Sequence, residues 1–185
     1  MVQGNKSMET AEKIVETYVR YVKGWFTISN IRCKGGREID LLAIDAKSGE
    51  KHHIEVGISI SDSFSSLTSE PFSENDFKNP SKKAQQQRTL GYFIEKKFNH
   101  PYVVAKLNEC GFFAGEYGKI IVTWKTKEGV KEKAREKNIE IWDFRTKLNK
   151  IVKIASEGEK YWLDDTMRTL QLLQRMMSTR SNERR

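Results

Sequence analysis

Two neighbouring stretches decide how the chain folds: Gly36-Arg37-Glu38-Ile39-Asp40-Leu41-Leu42-Ala43-Ile44-Asp45 and His52-His53-Ile54-Glu55-Val56-Gly57-Ile58-Ser59-Ile60. Both are short, rich in β-branched and aliphatic residues, and bounded by turns, at Gly35-Gly36 and at Ser48-Gly49. Such segments predict strands over Glu38–Asp45 and His52–Ile60, paired as an antiparallel hairpin. Each carries one acid where a core strand tolerates it least. Asp40 sits between Ile39 and Leu41, and Glu55 between Ile54 and Val56. A carboxylate among apolar neighbours pays for desolvation unless it is paired or bound to a cation. Two of them on adjacent strands repel until a hard divalent cation bridges their oxygens. The alternative is that both point to a solvated sheet face, with Ile54, Val56 and Ile58 turned inward.

Working outward, Met8, Ala11, Val15, Tyr18 and Val22 recur at steps of three and four. They predict a helix from Met8 to Lys23, with Ser7 as N-cap and Gly24 past its last turn. Trp25–Cys33 reads as a further strand of the meander. The Ser-rich stretch 59–80 has no clean period and is expected to be a long loop, of functional or merely structural origin. A second helix is expected from Ser81 through KKAQQQRTLGYFIEKKF. Lys119–Lys125 (strand), Gly129–Asn138 (helix) and Ile139–Phe144 (strand) call for a right-handed parallel crossover. Helices at Lys147–Ala155 and Glu159–Met177 follow. The expected division is a core over 1–150, a helical appendage over 151–177 and a basic, frayed tail over 178–185. The stripe Leu163, Leu170, Leu173 and Met177, with Trp162 beside it, fits either packing in cis or a homodimer.

Composition narrows the function classes. The chain of 185 residues has 33 Lys and Arg against 25 Asp and Glu, a net charge of +8. That balance favours polyanionic partners such as nucleic acid, although a broadly charged surface gives the same total. No apolar run is long enough to span a bilayer, and the N-terminus lacks the apolar core of a secretory signal, so a cytoplasmic protein without a membrane partner is expected. Two cysteines, Cys33 and Cys110, and three histidines lack zinc-ligand spacing.

The order of these elements resembles the PD-(D/E)XK nuclease superfamily, in the manner of Holliday junction resolvases and Mrr-type restriction endonucleases. Ala11-Glu12-Lys13 in the first helix, Gly36–Leu42 with Ile54–Gly57, and Lys133–Leu148 carry the resemblance. It implies an α/β, restriction-endonuclease-like αβββαβαβ core with a mixed central sheet flanked by helices and a C-terminal helical appendage. It further implies a metal-dependent endonuclease that hydrolyses phosphodiester bonds in duplex or branched DNA. Asp40, Glu55 and the carbonyl of Val56 would ligate Mg²⁺ or Mn²⁺, and Glu12 would hold a ligand water or a second ion. Arg32, Lys34 and Arg37 would grip phosphates. One position departs from the pattern: the lysine expected two residues after Glu55 is Gly57. Family logic gives that lysine the attacking water and the phosphorane charge. Some members supply it from the second helix, where Lys82 is expected to take the role, with Lys83 and Gln86 beside it on nucleic acid. Two rivals stay open: a catalytically inactive nuclease fold acting as a nucleic-acid-binding or assembly module, and a basic scaffold with structural carboxylates.

Overall fold

The computed structural model describes residues 9–58, 66–157 and 162–182. The first helix, α1 (Thr10–Tyr18), starts where the Glu9 N–H donates to Glu12 Oε2 at 3.1 Å. It widens into a π-turn over Val19–Lys23 and stops at Gly24, whose φ of 72° suits glycine. The expected cap, Ser7, lies outside the described residues.

Three strands follow as a meander: β1 (Trp25–Arg32), β2 (Glu38–Asp45) and β3 (Lys51–Gly57). β2 and β3 pair antiparallel with Leu41 opposite Ile54 and Leu42 opposite His53. Beyond them come β4 (Ser66–Leu67), α2 (Glu74–Lys78), α3 (Pro80–Gln86), α4 (Leu90–Tyr92, continuing as a π-helix over Phe93–Phe98) and α5 (Pro101–Glu109). The chain then returns through β5 (Tyr117–Thr123), β6 (Lys125–Thr126), α6 (Val130–Glu136) and β7 (Ile139–Asp143). β5 runs parallel to β3, and β7 parallel to β5, giving a mixed five-stranded sheet in the order β1-β2-β3-β5-β7. This is the expected α/β architecture. Helices α7 (Phe144–Glu157) and α8 (Asp165–Asn182) close the chain.

Strand alternation sends side chains into two cores. On one face Leu41, Ala43, Ile54, Ile120 and Val122 pack with Val15, Tyr18, Ile151 and Met167 of α1, α7 and α8. On the other, Leu42 and Ile121 lie under α4, α5 and α6, among Phe93, Phe98, Val103 and Leu107. α7 runs unbroken through residue 150, and its buried Ile151 and Ala155 belong to the same core as α1. α8 packs in cis through Met167 and Leu170, with Trp162 just before it on the same core, while Leu163 is 93% exposed. Its backbone stays helical through Asn182, past the tail expected at 178, and residues 183–185 lie outside the described residues.

Two expectations need correction. The stretch 59–80 is not one loop, because β4 and the Ser73-capped α2 lie within it. Nor is 81–98 one helix. After Gln86 the strap containing β4 bonds into it, with Thr68 N–H on the Arg88 carbonyl at 2.9 Å and Leu90 N–H on the Thr68 carbonyl at 2.8 Å. Thr89 Oγ1 then accepts from Tyr92 N–H at 3.0 Å and restarts the helix. At Gly91 the strap passes so close that a Cβ would stand 2.2 Å from the Phe72 nitrogen. The helix therefore restarts as α4. Helix α5, started by Pro101 behind His100, had no counterpart in the sequence reading.

Candidate active site

Extending the β2–β3 register by one residue sets Asp40 across from Glu55. Both project to the face covered by α4, where Glu55 is fully buried and Asp40 is 4% exposed. The solvated-face alternative is thereby excluded, although Ile54, Val56 and Ile58 do turn to the opposite core. Asp40 Oδ2 accepts from the Val56 N–H at 2.8 Å. Its other oxygen takes the Lys97 ammonium at 2.9 Å, and the same ammonium lies 2.5 Å from Glu55 Oε2. The second oxygen of Glu55 meets His53 Nε2 at 2.7 Å. His53 is fully buried, with its ring edge-on to Phe98 at 4.9 Å between centroids.

Electrostatics follow from this crowding. Burial, then the Glu55 charge, pushes the Asp40 carboxyl up to about 7 against the pull of Lys97 and the Val56 N–H. Burial, then the Asp40 charge, raises Glu12 to about 7, which places Glu12 within electrostatic reach of the pair. Burial works against the Lys97 ammonium, but Glu55 and Asp40 outweigh it and hold its pKa above the ordinary lysine value. Burial lowers His53 to about 3, so the ring is neutral.

The expected lysine is corrected by the fold. Lys82 pairs with Asp76 at 2.9 Å on the surface, and Lys83 lies 5.5 Å from the ring of Phe77. Gln86 is buried and spends its Oε1 on the Ser73 N–H at 2.9 Å, which braces the strap. The helix break turns all three away and brings Lys97 in. The signal for Lys97 was present: in Phe93-Ile94-Glu95-Lys96-Lys97-Phe98 it stands four residues from the buried Phe93 and beside the buried Phe98. Phe93 also explains Gly57. A Cβ there would lie 2.6 Å from the Phe93 Cζ, so the ring occupies the path a lysine at 57 would need. Arg88 closes the strand end by donating Nη1 to the Gly57 carbonyl at 3.0 Å.

Arg37 and Lys96 act electrostatically on His100, and Arg37 also on Glu74. Arg32 and Lys34 line a separate groove with Tyr102, Ala105, Lys106 and Glu109.

Oxygen-only donors, buried and mutually repelling, suit a hard dication such as Mg²⁺ or Mn²⁺. Among the described residues no group of three or more His, Cys, Asp and Glu side chains is arranged to hold a metal ion. An ion would therefore rest on Asp40 and Glu55 with backbone or water oxygens. No helix of the described residues is long and apolar enough to cross a membrane.

No family model matches the chain, and a search of curated proteins finds no match. Among solved structures, a repair endonuclease from Pyrococcus abyssi is similar at 14% identity and a TM-score of 0.39, over 76% of this chain and 49% of that one. A protein of unknown function is similar at 16% identity and a TM-score of 0.37, over 71% of this chain and 54% of that one. The chain spans about half the length of each.

Proposed function

We propose that the chain is a metal-dependent DNA endonuclease of the PD-(D/E)XK type whose lysine is supplied by α4, as Lys97. The observation that carries this reading is the Lys97 ammonium set between Asp40 and Glu55. Asp40 and Glu55, with the carbonyl of Val56, are the groups that would hold Mg²⁺ or Mn²⁺. Such an ion, when bound, neutralises developing phosphate charge and lowers the pKa of its water. Lys97, held charged, keeps one N–H beyond those turned to Asp40 and Glu55 to offer to a phosphate oxygen or to an attacking water. Glu12, with its pKa raised to about 7, can hold or release a proton near neutral pH. Arg37, next to Glu38 at the start of β2, would grip the backbone of duplex or branched DNA.

The test is cleavage of end-labelled duplex and branched DNA with Mn²⁺ by the parent, Lys97→Met and Lys82→Ala. Lys97→Met is expected to lose roughly 10²–10³ in rate, as for a single transition-state donor, with DNA affinity nearly unchanged. Lys82→Ala is expected to cut like the parent. Parental rates in Lys97→Met would refute the assignment, and a parent that binds DNA without cutting it would leave an inactive nuclease fold.

A further inference from the structure

His53 has no place in the motif that led to the carboxylates, yet it is as deeply buried as Glu55. Its Nε2 lies 2.7 Å from Glu55 Oε1, and its Nδ1 is buried without a hydrogen-bond partner. Of the two ring nitrogens only Nε2 has an acceptor within reach, so the geometry puts the ring proton there and leaves the orphaned Nδ1 with a lone pair. A buried polar atom with no partner is a standing cost. If the ring served only to pack against Phe98, a phenylalanine would do so without that cost. What the imidazole adds is one donor, aimed at one oxygen of Glu55.

That donor divides the labour of the carboxylate. Oε1 is committed to His53, and Oε2 alone turns toward Lys97 and Asp40. We infer that His53 is a positioning residue that fixes Glu55 so that a single oxygen faces the Asp40 side, and thereby makes the site take Mg²⁺ or Mn²⁺ in preference to Ca²⁺. The chemistry is that of ion size. Ca²⁺ accepts six to eight oxygens and commonly takes a carboxylate through both of them, whereas Mg²⁺ demands a near-octahedral set and takes carboxylates through one. Partners that orient a ligand in this way are worth roughly 10–100-fold in metal affinity. The inference rests on the metal-dependent reading proposed above.

The experiment is calorimetric titration of Mn²⁺ and Ca²⁺ into the metal-free full chain, as parent, His53→Phe and His53→Gln, with folding checked by circular dichroism. His53→Phe, which keeps the ring and removes the donor, is expected to bind Mn²⁺ about tenfold or more weakly and to lose most of the preference over Ca²⁺. His53→Gln, whose amide nitrogen can stand in for Nε2, is expected to restore the preference to within about threefold. A folded His53→Phe with the parent's affinities for both ions overturns the inference, as does an equal loss in both variants. The histidine ¹⁵N spectrum of the parent decides it independently of any variant, since an Nδ1-protonated His53 overturns it and an Nε2–H tautomer supports the bond. A parent that binds no Mn²⁺, yet shows the Nε2–H tautomer, fails the metal-dependent reading and leaves His53 holding Glu55 for Lys97 alone.

Discussion

Replacing Asp40 by Asn is expected to make the protein more stable, because the folded state holds this carboxyl against its preference. Asp40 ionises near 3.8 in an ordinary setting and near 7 in the folded protein. Between those values the native state binds a proton that the unfolded chain has released, so stability falls as pH rises through this window and levels off above it. The difference is about 3 pK units, or about 4 kcal/mol at 1.36 kcal/mol per unit. Asn has one accepting oxygen in place of two. Either the Val56 N–H or the Lys97 ammonium then loses its Asp40 partner, at about 1 kcal/mol. Glu55 keeps Lys97 paired in either case. The net gain is about 3 kcal/mol at pH 8. At pH 5 it shrinks to under about 1 kcal/mol, since little of the window has been crossed. Urea unfolding of the parent and Asp40→Asn at the two pH values, without divalent ions, measures both numbers. An Asp40→Asn protein no more stable than the parent at pH 8 would refute the reasoning, as would a gain equal at both pH values.

Gly57→Ala is expected to destabilise by about 1–3 kcal/mol through overpacking against Phe93, with Phe93→Leu recovering part of the loss; a thermal melt unchanged in the single variant would remove the steric account of the missing lysine. With a net charge of +8, DNA affinity is expected to fall steeply and linearly in log–log form as salt is raised, and a flat dependence would argue against binding through phosphates.

The hairpin was legible in the sequence because a strand's signals are local. Two apolar, turn-bounded runs over Glu38–Asp45 and His52–Ile60 gave the hairpin, whereas the register that sets Asp40 across from Glu55 and the buried face they share came from the tertiary structure. The crossover from β5 through α6 to β7 was legible for the same reason, since its connections are short. Lys97 was not, and neither was His53. Position 97 follows fifteen residues after Lys82 in what reads as one continuous amphipathic run, and in an unbroken helix either could face the hairpin. The choice was made by groups distant in sequence: Thr68 bonding to both sides of the break, the strap crossing Gly91, and Phe93 filling the space over Gly57. His53 read only as a histidine without zinc-ligand spacing, and its burial against Phe98 with Nε2 on Glu55 came from the tertiary structure. Periodicity reports which face of an element is apolar. Where an ammonium or an imidazole comes to rest depends on packing between elements, and that was decided by the tertiary structure.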